Sequence, residues 1–177
     1  MKPLFSSWNN EIVDNRGIDS DRWHDAPLVK LPPEYDKENS ISAFMGWAGI
    51  ILIKDSVDVV EMCSSYIGEV QKESCGKCFP CRIGTAIMEG ILAKIINGKG
   101  NENDLNQLET LGKYISESSK CYVGKTGPVP ILHALKYFKD DFSKIITGKK
   151  PIKTNLPAGK PQSTNASINA LGPGIAV

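Results

Sequence analysis

Residues 73–81 read ESCGKCFPC, which sets Cys75, Cys78 and Cys81 in C-x2-C-x2-C spacing. Gly76 lets the backbone turn tightly inside the first pair, and Pro80 stiffens it just before the third cysteine. Helical patterns flank this loop on both sides. Upstream, Val60, Cys63, Ile67 and Val70 recur at three- and four-residue intervals behind an N-terminal cap at Asp55 or Ser56. Downstream, Ile83, Ile87, Ile91 and Ile95 form a stripe that stops at the glycines of NGKG, residues 97–100. The cysteine loop therefore joins two helices, and the rest of the fold is read outward from it.

A third, weaker stripe, Leu105, Leu108, Leu111 and Ile115, ends just before Cys121. The fourth opens at GPVP, residues 127–130, where proline suits a first turn, and continues through Leu132, Leu135, Phe138, Phe142 and Ile145. GWAGIILIKD, residues 46–55, is a short apolar run bounded by Gly and Asp, which suits one buried strand. Residues 1–40 are polar and broken by proline around isolated Trp8, Trp23 and Leu31, and read as an extended N-terminal arm. Residues 149–177, rich in Pro, Gly, Asn, Ser and Lys, read as an extended or disordered C-terminal tail. The expected fold is mainly α: a small four-helix bundle over residues 41–148, with one short strand and extended terminal arms. The strand has no sheet of its own, so strand and arms are expected to dock on neighbouring subunits, the alternative being that the ends are disordered and the strand pairs with the arm.

A chain of 177 residues with 41% hydrophobic content supports one modest core. Its 21 Lys plus Arg nearly cancel 20 Asp plus Glu, so no strong field for nucleic acid or an anionic bilayer is advertised. The opening MKPLFSSWNNEIVD has no apolar segment of a signal peptide, and nothing approaches the ~18 apolar residues of a bilayer span. A cytoplasmic location is expected. In such a reducing compartment an odd count of 5 cysteines, three of them crowded together, points to metal ligation rather than disulfides.

Cys121 supplies a fourth sulfur, returned toward the loop at the junction of the third and fourth helices. Four thiolates suit a cubane [4Fe-4S] cluster, one per iron, with a short loop wrapping three corners and a remote residue closing the fourth. Zinc also accepts four thiolates, but structural zinc sites draw two ligands from each of two C-x2-C knuckles, and the division here is three and one. Zinc stays the alternative metal. A radical-forming cluster would show C-x3-C-x2-C and leave one iron without cysteine. A thioredoxin-like pair would sit beside a βαβ pattern, which is missing.

The motif ESCG-x-C-x-PCR-x-G-T over Glu73–Thr85, the remote Cys121 followed by Gly124, and a proline-started helix ending in YFKDDF carry a resemblance. Over about residues 41–147 the chain resembles the carboxy-terminal iron-sulfur domain of the NADH-binding flavoprotein subunit of respiratory complex I. The same module occurs in related subunits of NAD-linked hydrogenases and formate dehydrogenases. The resemblance implies one [4Fe-4S] cluster on Cys75, Cys78, Cys81 and Cys121 and a one-electron relay. It does not bring the flavin chemistry, because the glycine-rich FMN and NADH site that precedes the module in full-length members has no counterpart in residues 1–40.

Two classes of function follow. In the first, the chain is a non-catalytic electron-transfer subunit of a multi-subunit oxidoreductase, partnered by flavoprotein, iron-sulfur or catalytic subunits. In the second, cluster or zinc merely holds the fold of a scaffold. Other residues carry weaker signals. Cys63 reads as a buried structural thiol. Arg82 is either a charge that raises the cluster potential or a solvated helix-start residue. His133 reads as packed or exposed rather than as a ligand. Lys77 and Lys125 are exposed or help to dock a redox partner, and Phe79 reads as a shield against water.

Overall fold

The computed structural model describes residues 2–26, residues 41–148 and the backbone of residues 174–176. Its first layer is a sheet. Strands β1 (Phe5–Trp8), β2 (Glu11–Asp14), β3 (Ala43–Gly46), β4 (Gly49–Leu52) and β5 (Gly174–Ala176) pair antiparallel in the order β2-β1-β4-β3-β5. The register sets Phe5 opposite Leu52, Ser7 opposite Ile50, and Met45 opposite Ile50 from the other side. Period-two alternation sorts these strands: Phe5, Ala43, Met45, Ile50 and Leu52 join the main core with the helices, while Trp8, Phe44 and Ile51 close a small second core with Ala26.

The helices form the second layer: α1 (Val59–Glu73), α2 (Phe79–Ile96), α3 (Glu102–Ser118), α4 (Tyr122–Thr126), α5 (Val129–Tyr137) and α6 (Lys139–Ile146). Asp58 caps α1 by accepting from the Val60 and Glu61 amides at 3.0 and 3.2 Å, so the helix begins two or three residues later than its sequence cap suggested. Asn101 and Asp104 make a capping box on α3, and Asp104 also holds Lys94 of α2 at 2.8 Å, tying the two helices. The Lys94 ammonium beside it and the Asn101 amide hold the Asp104 carboxyl below its ordinary value.

This architecture corrects the expected four-helix bundle with one short strand and extended terminal arms. The run at residues 46–55 does form a strand, β4, but it lies inside a five-stranded sheet rather than alone. Within residues 1–40, β1 and β2 make a hairpin that completes one side of that sheet. Both faces of β1 are buried, Phe5 and Ser7 toward the helices and Ser6 and Trp8 away from them. Four residues with serine inside leave no hydrophobic alternation to read. The predicted fourth helix is broken instead into α5 and α6 at Phe138, whose φ and ψ of −129° and 26° are not helical, with α4 as a separate turn before them. The extended tail expected over residues 149–177 lies outside the described residues except for β5, which pairs with β3.

Candidate metal centre

The cysteine loop is built by the end of α1 and the start of α2. Ser74 closes α1, and its Oγ lies 3.2 Å from the Cys81 Sγ while accepting from the Gly76 amide at 3.3 Å. Gly76 has φ of +70°, a left-handed conformation that a residue with a Cβ resists, so the turn after Cys75 is a place for glycine. Cys78 is the N-cap of α2, and its carbonyl accepts from the Arg82 amide at 2.9 Å. Pro80 lies in the first turn, where its missing N–H goes unneeded. Cys81 follows, buried, with its carbonyl accepting from the Thr85 hydroxyl at 2.8 Å. Cys75 is exposed and Cys78 half-buried.

Cys121 arrives from the other side. It is the N-cap of α4, and its carbonyl accepts from the Lys125 amide at 3.1 Å. One turn on, the backbone of Gly124 runs against the loop: a methyl group there would lie 3.3 Å from the Cys81 Cβ and collide with Ser119. The absence of a side chain at Gly124 is therefore what lets the Cys121 turn approach Cys81. The tip of the β3–β4 hairpin braces the same turn, with the Trp47 and Tyr122 rings 5.0 Å apart at 58°.

Among the described residues, the buried polar atoms with no protein partner are Trp47 Nε1, Tyr66 Oη, Ser116 Oγ and Ser119 Oγ, and two of them, on Trp47 and Ser119, flank the Cys121 turn. The Trp47 ring meets Tyr122 at a tilt, and Ser119 abuts Gly124. The Tyr66 hydroxyl is pushed well up, first by burial and then by neighbouring Tyr122 and Cys63. Buried donors without partners are a signature of a group that satisfies them.

No three His, Cys, Asp or Glu side chains among the described residues are gathered to hold a metal ion, and all 5 cysteines are free thiols. The two cysteine segments are thus brought together by backbone, while their sulfurs are not focused on one point. Metal–sulfur bonds would supply that focusing, and their free energy would be coupled to folding. The donor set fits a cubane: three thiols come from the loop that joins α1 and α2, and Cys121 adds a fourth from the cap of α4. Cys63 is different. It is fully buried on α1, and burial pushes its thiol strongly up, which keeps it protonated. His133 is drawn to the sheet, where its Nδ1 shares a 2.6 Å hydrogen bond with the Ser7 hydroxyl of β1. Tyr66, Trp47 and Ser119 escaped sequence reading because isolated residues outside the motif carry no spacing signal, and Ser74 lay inside the motif with no role read for it. Thr85 lay inside the quoted motif, and its bond to Cys81 gives that threonine a role.

Residues 61–145 match the family described as NADH-ubiquinone oxidoreductase-F iron-sulfur binding region. The chain is 41% identical over 152 residues to the NADPH-Fe(3+) oxidoreductase subunit beta of Geobacter sulfurreducens, covering 84% of this chain and 22% of that protein. It is 31% identical over 140 residues to the NADP(+)-dependent formate dehydrogenase subunit beta of Moorella thermoacetica, covering 77% of this chain and 18% of that protein. A crystal structure of an NAD+-reducing [NiFe]-hydrogenase in the H2-reduced state superposes with a TM-score of 0.53 at 18% identity, over 60% of this chain and 23% of that one, and shows likeness of fold. The chain spans about a fifth of the length of the curated relatives just described.

Proposed function

Because residues 61–145 belong to the NADH-ubiquinone oxidoreductase-F iron-sulfur binding region family, we propose that this chain is an electron-transfer subunit of a multi-subunit oxidoreductase. It carries one [4Fe-4S] cluster on Cys75, Cys78, Cys81 and Cys121. The reading rests on one observation above all: the bare backbone of Gly124 seats the Cys121 turn against Cys81. A cluster bound there takes up and returns one electron at a time.

The chain's own residues prepare that place. Gly76 and Pro80 shape the loop that presents Cys75, Cys78 and Cys81. Ser74 sets an oxygen beside the Cys81 sulfur, where a hydroxyl donor to a ligating sulfur favours the reduced state. Trp47 packs its ring against Tyr122 beside the Cys121 turn, and Tyr66 is buried in the core behind it. Hydride transfer from a nicotinamide needs a glycine-rich cradle, which this cysteine site does not offer, so that step is assigned to a separate nucleotide site that passes electrons on singly. Among the described residues no helix is long and apolar enough to cross a membrane, and a cytoplasmic complex is the proposed setting.

Anaerobic purification and reconstitution test the assignment. The expected product is brown, holds about four iron and four sulfide per chain, and gives a paramagnetic signal on one-electron reduction. A colourless protein with about one zinc per chain would overturn it and leave the metal a structural role.

A further inference from the structure

The surface around the cysteines is unlike the rest of the molecule. Segments 74–82 and 119–126 carry four cations, Lys77, Arg82, Lys120 and Lys125, and no carboxylate, on a chain whose formal net charge is only +1. All four are exposed. Six other cations, Arg16, Arg22, Lys72, Lys94, Lys113 and Lys144, are paired with a carboxylate, whereas these four, like Lys99 and Lys139, form no ion pair among the described residues. Between them stand large apolar side chains that the fold leaves in water. Phe79, next to Cys78, is 64% exposed, Tyr122, next to Cys121, is 60% exposed, and Ile83, one turn after Phe79, is 38% exposed.

An apolar centre with aromatic anchors inside a rim of one charge is the composition of a protein-docking face. We infer that Phe79, Ile83 and Tyr122, ringed by Lys77, Arg82, Lys120 and Lys125, dock the acidic face of a one-electron carrier protein. The inference rests on the relay reading above and adds the chemistry of the partner. Complementary charge raises encounter rates and orients the carrier, and the apolar centre then holds it close to Cys78 and Cys121. The expected shield at Phe79 thus becomes a contact, and the exposed Ile83 gains a use.

The test uses the full chain with its cluster reconstituted and two labelled probes of opposite charge: rubredoxin, a small acidic iron protein, and a basic cytochrome c. Fluorescence anisotropy reads binding without requiring electron transfer. Rubredoxin is expected to bind preferentially and to lose affinity at least about tenfold between about 20 mM and about 300 mM salt. Lys77→Glu combined with Lys125→Glu should reverse the preference toward cytochrome c, while the same reversal at exposed Lys99 and Lys139 should change neither probe. Phe79→Ala should weaken binding at both salt concentrations. Should the loop variant load its cluster poorly, Lys120→Glu outside the loop is expected to give a smaller loss in the same direction. Equal binding of the two probes, an equal effect of the Lys99 and Lys139 reversals, or tighter capture of a short single-stranded oligonucleotide than of rubredoxin would overturn the inference. Stopped-flow reduction of bound rubredoxin by the prereduced chain is read separately: tight binding without electron transfer sinks the relay and leaves the docking face standing.

Discussion

Cys63 and Cys121 differ in what surrounds their sulfur. One is sealed in the core of α1 with its thiol pushed up by burial, the other is exposed at the cap of α4. Cys121→Ala is expected to lose iron and the paramagnetic signal while the metal-free chain keeps its urea midpoint. Cys63→Ala should keep the full cluster and cost about 1 kcal/mol for the small cavity. Iron and sulfide analysis with urea titration of both variants checks the pair, and a complete cubane in the Cys121 variant would remove it from the ligand set. His133 supplies a pH handle. Burial is the main cause lowering its pKa, Lys136 adds to that, and the bond to Ser7 opposes it. Above the ordinary histidine value both folded and unfolded chains hold it neutral. As pH falls through that value the unfolded chain takes the proton first, so stability drops until the lower folded-state value is passed. The urea midpoint should therefore fall between about pH 7 and about pH 5, and His133→Gln should flatten that fall; an unchanged slope would show that other groups carry it.

The helices show where sequence patterns suffice and where they drift. The expected stripe on α2 used a strict four-residue step, Ile83, Ile87, Ile91 and Ile95, yet Ile83 and Ile87 are exposed. The buried face is Cys81, Gly84, Thr85, Met88, Ile91, Leu92 and Ile95, which follows the 3.6-residue turn where a pure four-residue step winds away from it. The stripe on α3 was nearly right: Leu105, Leu108 and Ile115 are buried, with Gly112 replacing Leu111 on the inner face. All four proposed ligands were legible because their chemistry is local in sequence, three in one loop and one at a helix junction. The hairpins were not, because four-residue strands with apolar residues on both faces have no period to detect. The cap of α1 is a sharper case: Asp55 and Ser56 were plausible, but only Asp58 reaches two free amides. Asp58→Ala is expected to lower stability by about 1 kcal/mol, seen as a lower thermal midpoint with the fold unchanged by circular dichroism. The same loss from Ser56→Ala would place the cap where the sequence first put it.

At the scale of the molecule, the sheet and the helices are one core, since Phe5 meets Phe138 edge-on at 4.9 Å and Arg16 stacks its guanidinium 4.6 Å above the Phe138 ring. Removing residues 1–14 would strip β1 from β4 and take Phe5 and Trp8 from both cores. That truncation is expected to yield aggregated or unfolded chain by size exclusion and circular dichroism, and a monodisperse, cluster-loaded product would show the N-terminal hairpin to be dispensable. The strand order β2-β1-β4-β3-β5 has a further consequence, for the history of the molecule as it leaves the ribosome. The strand that pairs with the outer side of β3 emerges only after every helix of the described residues and every cysteine has been made. Iron insertion thus has a window in which all four proposed ligands exist while one edge of the sheet is still open, and a delivery factor working during synthesis meets a different surface from one that arrives after the last strand has docked.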